Sequence, residues 1–145
     1  MQLSEFVRIV NKECLNHILV HKAYYGDVYK NLNSGGQVYP ATNLTIESVN
    51  EDTDNDLMIF NGTIIYVDML TNDSINKLNV QSAGITILSQ ILDRLIDVNS
   101  GWETTKRDYT IFTEKFADLC AGAFVNFSIS VPIDKICDDR TWIED

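Results

Sequence analysis

Proline occurs twice, histidine twice and cysteine three times in this chain of 145 residues, and each scarcity closes off a class of protein. The cysteines, Cys14, Cys120 and Cys137, are odd in number and show no CxxC spacing, which excludes the disulfide framework of a small secreted domain. Both histidines, His17 and His21, lie near the N-terminus, so no imidazole adjoins Cys120 in sequence to activate it as a nucleophile. Cations are also few: 11 Lys and Arg against 21 Asp and Glu, a net charge of −10. A surface that wraps nucleic acid needs clustered cations to displace phosphate counterions, and none is present. Acidic subunits can still let DNA pass close by, because like charges repel. No apolar run approaches the roughly 18 residues that span a bilayer. The start, Met1-Gln-Leu-Ser-Glu-Phe6, lacks the basic and apolar regions of a signal peptide. The expectation is a soluble chain in a reducing compartment, with no membrane partner, in which the N-x-S/T triplets at Asn43, Asn61 and Asn126 are chance matches. G-x-S-x-G, Walker and G-x-G-x-x-G motifs are all missing, and Gly35-Gly36 is too short to cradle a phosphate.

What is present is apolar. Hydrophobic residues make up 45% and aromatics 10% of the chain, the composition of a folded domain, here one domain over 1–145. Its organising stretch is Leu57 to Ile96: a long strand to Leu70, a turn at Thr71–Ser74, and a helix of some twenty residues. The strand is apolar on both faces. Leu57, Ile59, Ile65, Val67 and Met69 alternate with Met58, Phe60, Ile64, Tyr66 and Leu70, whereas a strand with one wet face alternates apolar with polar. Helices cover one side of a single-layer sheet, so the second face calls for a partner. Phe60, Ile64, Tyr66 and Asp68 are therefore candidate subunit-interface residues, with Trp142 as a docking anchor in the polar tail 133–145. Asn61-Gly62 reads either as a type I′ turn that splits the strand or as a bulge in one bent strand. The chain reversal at 50–56 favours the bulge.

Around this stretch, the spacing of Leu3, Phe6, Val7, Val10, Cys14, His17, Ile18 and His21 predicts a helix over 3–21, with Ser4 as N-cap. Tyr24 to Leu32 reads as a first strand ended by a turn at Asn33–Gly36, and Ala41 to Val49 as a second strand behind Pro40. The segment Asn50–Asp56 is an acidic hairpin loop; Glu51, Asp52, Asp54 and Asp56 are candidate lumen or rim residues of an assembly. Asp73 or Ser74 caps the long helix, whose apolar face runs Leu78, Ile85, Leu88, Ile91, Leu92, Leu95 and Ile96, with Gly84 allowing a close approach. Asn99-Ser-Gly101 ends it. Tyr109–Phe112 and Ala123–Val131 read as two further strands, with 114–121 as a linker or helical turn. The fold class is α+β: a mostly antiparallel sheet packed against two helices.

Three constellations invite chemistry. Glu13, Cys14, His17 and His21 share a helical stretch, and a His pair at i, i+4 can hold zinc, but H-E-x-x-H is absent and Cys14 also suits the core. Asp52-Thr-Asp-Asn-Asp56 begins like a calcium loop; an EF-hand then needs Gly sixth and Glu twelfth, where this chain has Leu57 and Thr63. Asp68 and Glu114-Lys115 interrupt apolar segments and could form a buried or interfacial ion pair that fixes register. The reading names no catalytic residue, metal ligand or cofactor, and expects no enzyme.

The segments Ile65-Tyr-Val-Asp-Met-Leu-Thr-Asn-Asp-Ser-Ile-Asn-Lys-Leu78, Gln81-Ser-Ala-Gly-Ile-Thr-Ile-Leu88 and Tyr109–Phe127, with Phe112-Thr-Glu-Lys-Phe116 and Cys120-Ala-Gly-Ala-Phe-Val125, carry a resemblance. They resemble small tail-completion or tail-terminator-like proteins of phages of gut Bacteroidales, including crAss-like phages. The likeness covers the central and C-terminal two-thirds. It implies a virion structural protein with a tail-terminator-like fold, assembled in the host cytoplasm and located in the tail or head–tail neck. Its partners would be copies of itself, in a hexamer or dodecamer ring, and neighbouring tail, neck or portal proteins. Genomic DNA would pass through the ring without specific binding. A portal-contacting adaptor or stopper is the near alternative. A small ligand-binding or regulatory α+β domain, with a pocket between sheet and long helix, is the distant one.

Overall fold

The computed structural model describes residues 1–33, 38–70, 76–115 and 119–133. Among them are three helices and five strands: α1 Leu3–Asn16, β1 Lys22–Tyr25, α2 Val28–Asn33, β2 Ala41–Asp52, β3 Leu57–Met69, α3 Lys77–Val98, β4 Glu103–Lys115 and β5 Leu119–Pro132. The strands form one sheet in the order β1-β2-β3-β5-β4. β1 runs parallel to β2, and the other neighbours are antiparallel. The chain is thus α+β with a mostly antiparallel sheet.

β3 is one strand through Asn61-Gly62, and the bulge lies in its partner. Ile46 pairs with Gly62 and Ser48 with Asn61, which leaves Glu47 as the extra residue of β2. A second bulge at Thr105 in β4 sits at the same level, because Lys106 pairs with Ser128, which itself faces Asn61. Two extra residues on one row, either side of the β3–β5 pair, add local bend and twist on that row.

One face of the sheet carries the main core. Phe60, Ile64 and Tyr66 of β3 and Ala123, Val125, Phe127 and Ile129 of β5 pack under Phe6, Val10 and Cys14 of α1 and Ile87, Leu88, Ile91, Leu92 and Leu95 of α3. Gly84 brings α3 close to the sheet: an added Cβ would lie 3.0 Å from Tyr66 Cδ1 and 3.2 Å from Ala123 Cβ. The other face has its own small core of Leu32, Val67 and Cys120, flanked by Val28, Tyr39, Ile65 and Phe112. There α2 supplies the cover.

Several sequence expectations need correction. α1 stops at Asn16 rather than reaching 21, because His17 is extended (ψ 127°) and its Nδ1 accepts the Leu19 N–H, a local bond that competes with the helix. Gln2, not Ser4, holds the N-cap position, without a side-chain bond. The first strand ends at Tyr25, not Leu32. Gly26 takes a positive φ of 105°, and Asp27 Oδ1 accepts the N–H groups of Tyr29 and Lys30, which starts a helix where a strand was expected. The connection expected before Tyr109 and the linker expected over 114–121 belong largely to β4 and β5. Edge position and the Thr105 bulge hide the alternation of β4. The expected turn at 33–36 and the caps Asp73 and Ser74 lie wholly or mainly outside the described residues.

Candidate functional site

The four residues weighed above for zinc, Glu13, Cys14, His17 and His21, part company on folding. Glu13, nearly buried, accepts Arg94 Nε at 2.8 Å and Asn16 Nδ2 at 3.3 Å. His17 Nε2 meets Gln90 Oε1 at 2.7 Å while its Nδ1 takes the Leu19 amide, so the ring is the Nε2–H tautomer. His21 lies beyond the helix, with Nδ1 at 2.9 Å from the Tyr39 carbonyl. Cys14 points into the core, and burial pushes its thiol up to about 12, which leaves it a poor nucleophile and ligand. Among the described residues no three His, Cys, Asp or Glu side chains converge on a metal position. What Glu13, His17, Gln90 and Arg94 do form, with Leu19, is an open groove of about 750 Å³ between the end of α1 and α3. The space between sheet and α3, where the alternative of a ligand-binding domain would need a pocket, is occupied by Ile87, Leu88, Ile91 and Leu92.

The candidate interface residues of β3 are corrected by burial. Phe60, Ile64 and Tyr66 expose 1%, 0% and 3% of their surface and face the helices of their own chain. They offer nothing to a neighbour. The pairing of Phe6 with Phe60, rings 4.0 Å apart and 5° from parallel, shows which face they belong to. Asp68, further along the same face, is half-buried and accepts the Met69 N–H at 2.8 Å. Burial raises its pKa, opposed by the Met69 bond and by His21. Burial, with the charge of Asp68 adding to it, pushes the Tyr66 phenol up to about 12. Trp142 and the Glu114–Lys115 side chains lie outside the described positions.

The acidic hairpin forms as expected. Glu51 and Asp52 end β2, and Asp52 organises the turn, accepting the N–H groups of Asp54 and Asn55 and Asn55 Nδ2 at 2.9 Å. The Asn55 side-chain bond, opposed by desolvation and aided by the Asn55 and Asp54 amides, holds the Asp52 carboxyl below its ordinary value. Glu51, Asp54 and Asp56 are exposed at the tip, and Asp56 adopts a positive φ of 54°.

The second face of the sheet is not the bare apolar surface that the sequence suggested. Between the α2-covered end and Leu57 and Ile59, a polar ladder crosses three strands. Ser128 Oγ donates to Asn61 Oδ1 (2.6 Å), Asn61 Nδ2 to Ser48 Oγ (3.1 Å), and the Thr63 hydroxyl lies within 2.8 Å of both Glu47 and Asn126.

Several of the exposed large apolar side chains lie instead on the two flanks. At 100° per residue, Leu78 and Ile85 of α3 point to the side of Gln81, which reaches the Phe112 carbonyl of β4 at 3.1 Å. With Ile111 of β4 they expose 72%, 36% and 50%. On the opposite flank, Leu15 of α1 lies about 160° around the helix from Glu13, and Leu15, Tyr25 and Tyr29 expose 50%, 46% and 54%, whereas the exposed Ile18 lines the groove beside α3. The sequence puts Leu78 and Ile85 on the apolar face of the long helix, and its patterning singles out none of Leu15, Tyr25 and Tyr29 as exposed. The signal was their excess: an apolar arc on the long helix that continues past the width of one buried stripe. No described helix is long and apolar enough to cross a membrane. Compared with protein-family models and with curated protein sequences, the chain matches none.

Proposed function

We propose that this chain is a structural subunit that assembles with copies of itself into a ring, in the tail or head–tail neck of a tailed phage, around the channel for genomic DNA. The observation that carries the reading is the placement of exposed apolar residues on two different flanks, with Leu78, Ile85 and Ile111 on one and Leu15, Tyr25 and Tyr29 on the other. A ring repeats one heterologous contact by rotation, so each subunit needs two unlike adhesive surfaces. The phage setting rests on the likeness of Ile65–Leu88 and Tyr109–Phe127 to tail-terminator-like proteins. Contacts with portal or neighbouring tail proteins belong to the same reading, and no catalytic step does.

Sedimentation and negative-stain microscopy of the purified chain test it, alone and mixed with the portal and tail proteins of its particle. Ring-sized species, alone or on mixing, are the expected result. A chain that stays monomeric at high concentration and ignores those proteins defeats the proposal.

A further inference from the structure

Among the described residues the two edges of the sheet are β1 and β4, and edges left open invite pairing. β4 protects its first half with Glu103, Lys106, Arg107, Asp108 and the Thr105 bulge, but Tyr109-Thr-Ile-Phe-Thr113 carries no charge, proline or bulge. β1 is short and is the shape of a plug. The sheet register sets these two segments on the same rows. Lys22 pairs with Ala41, then Val67, Gly122 and Phe112; Ala23 leads across to Ile111, Tyr24 to Thr110 and Tyr25 to Tyr109.

Direction agrees as well. β1 is parallel to β2, and three antiparallel steps follow, so β4 runs opposite to β1. A second copy in the same orientation therefore lays its β1 antiparallel to β4 of the first. The outward amides agree too. Leu70 donates to the Leu119 carbonyl, which aims the odd-numbered residues of β5 at β3 and the even-numbered ones, including Gly122 and Phe124, at β4. Their partners Phe112 and Thr110 thus face inward, and Tyr109 and Ile111 turn their N–H and C=O to the free edge. In β1, Gly26 donates to the Leu44 carbonyl, which directs Tyr24 at β2 and leaves Ala23 and Tyr25 outward. Asn31 Nδ2 meets the Tyr25 carbonyl at 3.1 Å on that outer side, and the oxygen keeps a second lone pair.

We infer that the ring contact is a strand addition, in which β1 of one copy extends the sheet at β4 of the next, row 22–25 against row 112–109. This rests on the ring reading and names its interface. Ala23 opposite Ile111 and Tyr25 opposite Tyr109 make the hydrogen-bonded pairs, Tyr24 opposite Thr110 the intervening one, and no like charges meet. The apolar flank of Leu78, Ile85 and Ile111 then comes to lie beside the neighbour's Leu15 and Tyr25.

Two variants test it. Ile111→Pro deletes an outward N–H and leaves the β5 ladder intact, a position where an edge strand accepts proline. It should keep the circular dichroism of the unaltered chain and raise the concentration for half-assembly by about tenfold or more. Tyr24→Cys and Thr110→Cys, each in a Cys137→Ser chain, should form a mixed disulfide under oxidation when combined, and none when kept apart, since Cα atoms in such a row are about 4.5 Å apart. Cys14 and Cys120 are buried and do not compete. Rings that form without the mixed disulfide and tolerate Ile111→Pro overturn the strand addition and leave the ring reading standing. Thr110→Cys cross-linking to itself replaces the contact with a two-fold one and overturns it. A monomer without any cross-link removes both.

Discussion

Phe6 stacks on Phe60 and, at 5.4 Å, on Trp102, so three rings tie the first helix, the middle of the sheet and the α3–β4 connection together. Phe60→Ala should therefore cost about 3–5 kcal/mol of folding stability, read by urea unfolding of the isolated chain. A residue reserved for a neighbour would leave that curve in place, so an unchanged midpoint returns Phe60 to the interface. Asp68 acts in the opposite sense. Burial raises its pKa from the ordinary value of 3.8, so between the unfolded and folded values the native state holds a proton that the unfolded chain has released. Stability falls as pH rises through that window, and above it the carboxylate is a standing cost. Asp68→Asn keeps an acceptor for the Met69 N–H and removes the charge. The expected melting point at pH 7 rises by at most about 2 °C, with a smaller gain at pH 4, because the group is half exposed. A fall at pH 7 contradicts this account. Both residues show what the sequence withheld: alternation identified two apolar faces on β3, and nothing in it said which one the helices cover.

α3 lies on the sheet as closely as it does because residue 84 has no side chain. Gly84→Val would drive branched carbons into the Tyr66 ring and the Ala123 backbone and lift the helix, at about 1–3 kcal/mol by denaturant titration. Equal stability would mean that the helix shifts along its axis at no cost. The close approach at Gly84 and the hairpin through the acidic loop were legible, since each rests on a local signal with one geometric meaning; the continuity of β3 followed only from that hairpin, because Asn61-Gly62 alone also fits a turn. Other elements were legible in kind but not in extent. α1 carries a helical period to His21, yet the His17 ring captures the Leu19 amide and ends it at Asn16. β4 reads as a polar connection through Asp108 because an edge strand has one face and one side in water, and the Thr105 bulge breaks its alternation. β1 and α2 were misread together, for a single Gly26-Asp27 pair turns a strand signal into a strand, a turn and a capped helix. The candidate contact suffered most, because an edge is a property of sheet order. That order places β5 between β3 and β4, against the sequence.

At the scale of the whole molecule, a subunit of net charge −10 must approach copies of itself. If β1 of each copy meets β4 of the next on the same rows, every β2–β3 hairpin points the same way, and the tips carrying Glu51, Asp54 and Asp56 gather at one rim of the ring. Repulsion between those tips is long-ranged in dilute salt, where the screening length is about 30 Å at 0.01 M, and short at 0.15 M, where it is about 8 Å. Assembly should then strengthen as sodium chloride rises from the first concentration to the second, the reverse of what cross-subunit ion pairs would produce. Glu51→Gln, Asp54→Asn and Asp56→Asn together should flatten that dependence, and they spare Asp52, whose carboxylate shapes the turn. Asn also tolerates the positive φ at position 56, so the hairpin should survive the change. Sedimentation velocity of both chains across the salt series decides the matter: a slope that the three substitutions leave unchanged means that the tips do not share a rim.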